Sequence, residues 1–199
     1  MTTTKILKTL TTLFYLFATA AGLGALVVVG MIFYLVKDLP RVPEPLSRII
    51  ETEPTEIFAA TGERIMLMGG REAIPLSRVS PHFIRAILAT EDHRFPHHHG
   101  VDKLRTLKAM AITLFVPGKI QGASTITQQL AKNLFFSFRR SYLRKLQELM
   151  VSLQIESRYS KDDILEAYVN QIPFGVGAYG IENAAQTFFG KPASELNLE

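Results

Sequence analysis

Cysteine is missing altogether, which excludes disulfides, thiolate catalysis and cysteine-ligated metal centres and leaves the redox compartment open. Charge is missing over one long stretch, from Thr9 until Lys37. Acid is missing again between Lys132 and Glu148, although Lys132, Arg139, Arg140, Arg144 and Lys145 all fall there. No internal repeat or low-complexity tract interrupts the chain. Its 199 residues suffice for one domain with a real core plus appendages.

As a helix, the uncharged run Leu10 to Val36 would be about 40 Å long, against a hydrocarbon core of roughly 30 Å. Ala18-Thr19-Ala20 resembles a signal-peptidase site. The apolar run nevertheless continues through Leu26 to Val36, too long for a signal h-region, so a retained transmembrane helix over 10–36 is expected. Lys5, Lys8 and the amino terminus precede it, whereas Lys37 and Arg41 after it are partly offset by Asp38. That asymmetry is small and favours a cytoplasmic N-terminus, residues 1–9; placing the remainder outside rests on the chemistry that follows.

The formal net charge is +4, yet Lys5, Lys8, Lys37 and Arg41 lie with a single acid, Asp38, in the first 41 residues. The rest of the chain is therefore close to neutral, and its basic character is local. A cluster such as Lys132 to Lys145 can bind phosphate, nucleic acid or anionic headgroups. The interleaved rings of Phe135, Phe136, Phe138 and Tyr142, together with the membrane segment, favour a membrane interface over nucleic acid.

Pro40, Pro43 and Pro45 make residues 40–47 a stiff extended spacer, within a linker expected over 37–53. Alternation around Thr61-Gly62 predicts a small hairpin over residues 56–65. Thereafter the pattern is helical. Ser80-Pro81 starts a helix whose apolar face is Phe83, Ile84, Ile87 and Leu88, and which delivers Glu91 at its end. Further helices are expected over 104–115, from a cap at Ser124 or Thr125 to about Phe135, and over 142–156. In the last, Leu146, Leu149, Met150 and Leu153 would form the buried stripe, with Arg144, Lys145, Glu148 and Ser152 presented away from the core. Ser160 and Asp163 form a near capping box. Residues 174–180 read as a glycine-punctuated loop, and Ile181 to Phe189 as a helix ended by Gly190.

Three polar strings carry the chemistry. Glu91 heads Glu91-Asp92-His93-Arg94-Phe95-Pro96-His97-His98-His99-Gly100. Gly122 to Asn133 concentrates hydroxyls, amides and a lysine, with Gln128, Gln129, Lys132 and Asn133 suited to sugar hydroxyls and phosphate oxygens. Glu148 follows Arg144 and Lys145 at helical spacing. Singly, Glu91 reads better as a solvated helix end and Glu148 as a surface ion pair. Three consecutive histidines cannot share one helical side and no His-Glu-x-x-His string is present, so one orienting histidine fits better than a histidine-ligated metal.

Taken together, these strings resemble the successive motifs of the peptidoglycan glycosyltransferase family (glycosyltransferase family 51), found in class A penicillin-binding proteins and monofunctional transglycosylases. The first motif, Glu-Asp-x-x-Phe-x-x-His-x-Gly, is met by Glu91, Asp92, Phe95, His98 and Gly100. The second, Gly-x-Ser-Thr-Ile-Thr-Gln-Gln, runs from Gly122 to Gln129 and on into Lys132-Asn133. Arg144, Lys145 and Glu148 meet the third, with Ser152 where alanine is common. The fourth is seen in Tyr168-Val169-Asn170, Phe174-Gly175, Gly180 and Ala184-Ala185, with Val169 and Phe188 as departures. A fifth motif would begin where the chain ends, so the domain expected over 54–199 is truncated at its C-terminus.

The resemblance implies a mainly α, lysozyme-like glycosyltransferase domain with a small β-hairpin, behind one N-terminal transmembrane helix. It implies polymerisation of lipid II on the outer side of the cytoplasmic membrane, with release of undecaprenyl pyrophosphate. The catalytic residues would be Glu91, as base, and Glu148. Asp92, Phe95, His98, Ser124, Thr125, Gln128, Gln129, Lys132, Asn133, Arg140, Arg144, Lys145 and Asn170 would bind substrate. Mg²⁺ or another divalent cation could accompany the diphosphate, no organic cofactor or nucleic acid is expected, and cell-wall synthesis proteins are candidate partners. An inactive lipid II-binding module and a membrane-anchored lytic enzyme are the rival readings, the latter because two carboxylates also serve glycosidases.

Overall fold

The computed structural model describes residues 2–46, 55–68, 73–116, 122–136 and 141–198. It divides into two units, Met1–Leu39 and Pro40–Glu199. The first is helix α1, Thr2–Lys37. Its Lys8–Lys37 part contains an 18-residue window of mean hydropathy 2.3 and is long and apolar enough to cross a membrane. The hydroxyls of Thr11, Thr12 and Thr19 donate back to carbonyls three or four residues earlier. These polar groups are thus satisfied inside the helix, as a nonpolar surrounding requires.

The second unit is mainly helical. It opens with an antiparallel hairpin of β1, Thr55–Phe58, and β2, Arg64–Met68, in the register Glu56 to Leu67. Gly62, at φ 84°, turns the chain where a side chain would be strained. Helices α2 (Pro81–Glu91), α3 (Lys103–Phe115), α4 (Ile126–Phe135), α5 (Tyr142–Arg158), α6 (Lys161–Gln171) and α7 (Ile181–Phe189) follow.

Most of these helices begin on a polar cap. Ser80, Asp102, Thr125, Ser141 and Ser160 each accept a backbone N–H of the first turn with the side chain, satisfying donors that the helix itself leaves open. Ser160 and Asp163 complete a reciprocal capping box. Helix α4 is central: Ile126, Leu130 and Ala131 are fully buried where it packs on α5 and α6. Burial of each large apolar side chain stabilises by about 1.5–3 kcal/mol.

The buried face of α5 is not the leucine stripe. Leu146 and Leu153 are 38% and 47% exposed, whereas Glu148, Val151, Ser152 and Ile155 are buried. The packing partners explain the reversal, because Ser152 stands against Gly100, where a Cβ would meet its Oγ at 3.2 Å. A larger side chain could not occupy that gap, and Ser152 and Glu148 turn inward beside Val151 and Ile155.

Two other expectations need revision. The segment 173–180 is a tight hairpin rather than an open loop, with β3 (Pro173–Gly175) paired to β4 (Ala178–Tyr179). Residues 40–46 are not a bare spacer. Val42 and Leu46 are buried, the Val42 carbonyl accepts from Arg158 Nη1 at 3.1 Å, and the Pro43 carbonyl accepts from the Tyr159 hydroxyl.

Candidate active site

Glu91 closes α2, and its Oε2 accepts from Gln129 Nε2 of α4 at 2.7 Å. Arg105 of α3 donates to the Glu91 backbone carbonyl, answering an acceptor that a helix C-terminus leaves open. Tyr168 of α6 in turn donates its hydroxyl to Gln129 Oε1 at 3.3 Å. Burial foremost, and then the charges of Glu91 and Asp92, push the Tyr168 phenol well above its ordinary range, so it stays a donor.

Gln129 belongs also to a groove of about 690 Å³ whose lining includes Ser124, Lys132, Arg144, Lys145 and Glu148. Glu148 is only 2% exposed. Arg144 Nε lies 2.8 Å from its Oε1 and Lys145 Nζ 3.1 Å from its Oε2. Lys145 further donates to Ser124 Oγ at 2.8 Å and to Gln128 Oε1 at 3.3 Å. A buried carboxylate needs such partners, and two cations around one anion leave an excess of positive charge at the groove wall. That wall suits a phosphate-bearing ligand.

Several expected substrate-binding residues lie behind the groove instead. Asp92 is fully buried, accepting from His98 Nε2 at 2.9 Å and from the Ile126 backbone N–H at 3.1 Å. Phe95, 2% exposed, packs edge-on to His98 and under the Lys161 ammonium, 4.2 Å from its ring centre. Thr125 caps α4 and donates to the Gly100 carbonyl at 2.7 Å. Asn170 binds both the N–H and the carbonyl of Ile74, at 3.0 and 2.9 Å.

Asp92, Phe95, His98, Thr125 and Asn170 are therefore built into the scaffold beside the groove. Asp92, Thr125 and Asn170 spend their polar atoms on protein partners, whereas His98 Nδ1 is buried with no hydrogen-bond partner among the described residues. Asn133 is half-buried on α4 and outside the groove lining. Arg140, expected in the diphosphate clamp, lies outside the described residues.

Residues not singled out from the sequence also shape the site. Lys161 donates to the His98 carbonyl at 2.6 Å and pairs with Glu156, whose Oε1 accepts from Thr127 at 2.5 Å. Ser141 adds to the groove wall, beside Tyr142, one of the rings expected at a membrane interface. Tyr168 was named as part of the fourth motif, but on the apolar face of its helix it carried no assigned role. Only the distant amide of Gln129 reveals its second role.

Among the described residues no group of three histidines or acids could hold a metal ion. Both oxygens of Glu148 already face cations. The donor set thus does not fit a resident divalent ion, which would take oxygen ligands from several sides.

Comparison with known proteins agrees with this geometry. The sequence profile described as Transglycosylase matches residues 62–199, more than half of the chain. Penicillin-binding protein 1A of Escherichia coli (strain K12) is 42% identical over 178 residues, which are 88% of this chain and 21% of that protein. Its namesake from Aquifex aeolicus (strain VF5) is 37% identical, over 89% of this chain and 25% of the relative. The biosynthetic peptidoglycan transglycosylase of Vibrio parahaemolyticus (serotype O3:K6, strain RIMD 2210633) is 39% identical, over 88% of this chain and 72% of that protein. The chain thus spans about a fifth to a quarter of the penicillin-binding relatives. With the second and third strings lining the groove, the first tied to it through Gln129 and Glu91, and the profile covering residues 62–199, this chain belongs to the transglycosylase family.

Proposed function

We propose that the chain is a peptidoglycan glycosyltransferase that polymerises lipid II into glycan strands. The observation that carries this reading is the groove in which the amide holding Glu91 meets the cationic wall over Glu148. Glu91 takes the proton of the acceptor sugar's 4-hydroxyl. The oxygen forms a bond to the donor's anomeric carbon from the face opposite the leaving group. The carbon–oxygen bond to the diphosphate breaks, its electron pair stays with the phosphate, and the configuration inverts.

Charge then accumulates on the departing diphosphate. Lys132, Arg144 and Lys145 stand ready to neutralise it, and preorganised cations of this kind lower the barrier without reorganising during the reaction. Glu148 holds Arg144 and Lys145 in place and does not act on the sugar. Hydrolysis of a neutral glycan would give that wall no task, which disfavours the lytic reading. No step runs through a metal ion.

A membrane setting follows from the substrate's lipid and is supported by two surfaces. Helix α1 is the single-pass anchor, with the N-terminus cytoplasmic and the second unit outside. On α3, Leu104, Leu107, Met110, Leu114 and Phe115 are 56–81% exposed, and the helix carries Lys103, Arg105 and Lys108 with no acid. Exposed apolar side chains among bases fit a lipid interface.

Glycan-strand formation from lipid II, measured on the full chain, tests the proposal. Glu91→Gln should lower turnover by about 10²-fold or more with unchanged thermal unfolding. Normal polymerisation by that variant would remove Glu91 from the role of base.

A further inference from the structure

We infer that Tyr168 is a positioning residue for the Glu91 carboxylate, acting through the side-chain amide of Gln129. The inference rests on the proposed role of Glu91 as base. Three helices meet in the arrangement: Tyr168 of α6 donates to Gln129 Oε1 at 3.3 Å, and Gln129 Nε2 of α4 donates to Glu91 Oε2, on α2, at 2.7 Å.

The chemistry of the groups fixes the direction of both bonds. An ionised carboxylate only accepts, so the amide must turn its NH₂ to Glu91 and its carbonyl oxygen to Tyr168. The hydroxyl must then donate. Tyr168 is 2% exposed, so that hydroxyl has little access to bulk water as an alternative partner. Burial and the nearby Glu91 and Asp92 charges keep the phenol protonated.

Without the hydroxyl, the amide keeps one anchor instead of two. Its terminal torsion is broad, and rotation about it releases Glu91 Oε2. Little else holds that carboxylate. Arg105 of α3 reaches only the backbone carbonyl of Glu91, and Asp92 is turned to His98 and the start of α4. Among the described residues Gln129 is the one side chain hydrogen-bonded to the Glu91 carboxylate. Tyr168 thereby sets which oxygen of Glu91 is occupied and which is left for the acceptor hydroxyl.

The test is a double-mutant cycle on lipid II polymerisation by the full chain, using Tyr168→Phe, Gln129→Ala, the double variant and Glu91→Gln. Tyr168→Phe should lower kcat about tenfold with KM within about twofold of the parent, as expected when a base is misplaced and substrate binding is not. The double variant should be no slower than Gln129→Ala alone, because the hydroxyl acts only through the amide. An unchanged kcat in Tyr168→Phe, or effects that simply multiply, would overturn the inference. Full activity of Glu91→Gln would instead fall on the base assignment. Absence of turnover in the parent chain would fall on the proposed function; the cycle read on thermal unfolding then decides the pairing, with additive shifts overturning it.

Discussion

Lys145 Nζ lies 3.1 Å from Glu148 Oε2, on a carboxylate that is almost wholly out of solvent. Glu148→Gln keeps the volume but leaves Arg144 and Lys145 facing a neutral amide. Arg144 and Lys145 are 17% and 48% exposed, so water screens the cations left behind and the cost stays below the about 3–5 kcal/mol of a fully buried pair. The variant should therefore unfold at lower temperature and lose polymerising activity together, in contrast to Glu91→Gln. Parent-like stability would show that something other than the carboxylate holds the two cations.

Gly100 and Gly180 both have positive φ, at 75° and 77°, and differ in what surrounds them. A Cβ on Gly100 meets Ser152 at 3.2 Å, but on Gly180 it meets the Asn170 backbone oxygen at 2.7 Å. The left-handed conformation alone costs a side chain about 1–2 kcal/mol. Gly180→Ala should be the more damaging substitution in thermal unfolding, because both Cβ atoms would press on backbone but the approach at Gly180, 2.7 Å against 3.2 Å at Gly100, is too short to be relieved by a small shift.

Asn170→Ala should loosen the segment that enters α2. It removes both bonds to Ile74 and strands a buried donor and acceptor, at about 1–3 kcal/mol for each orphaned group. Hydrogen exchange of the Ile74 amide should accelerate selectively, while the amides of α4 stay protected. Uniform acceleration across the domain would contradict a local clasp.

Asp102 gives the fold an acid-side sensitivity. Burial, the largest single influence, raises its pKa, but the backbone N–H groups of Arg105 and Leu104 and the charges of Arg94 and His98 together hold it below the ordinary value. A group depressed in the folded state stabilises above its unfolded pKa, near 4, and loses that contribution as pH falls through the lower folded value. Asp102→Asn should be less stable than the parent at neutral pH, and the difference should close below about pH 4. Thermal unfolding as a function of pH reads this directly.

The helices were legible because their starts are written in local chemistry: Ser80-Pro81, Thr125 and Ser160 with Asp163 cap as their residue types dictate. Glu91 and Glu148 were legible through the strings around them. What the sequence hid was which way a polar residue points. On α5 the periodicity of Leu146 and Leu153 suggested a buried stripe, but the partner across the gap is a glycine and a carboxylate site, and neither leaves a trace in hydropathy. Asp92, Phe95, His98 and Asn170 entered the substrate-binding set through the family motifs, and a motif does not tell a side chain that faces the groove from one that braces a loop. Their burial depends on residues far along the chain and was not legible in the motif.

Asp92 receives the His98 imidazole from its own string and the Ile126 N–H from the next, so the two strings share one buried anion. They are therefore not exchangeable modules. A chimera that imports residues 91–100 from one relative and residues 122–133 from another inherits a docking problem at this carboxylate, and grafting should succeed only when both segments travel together.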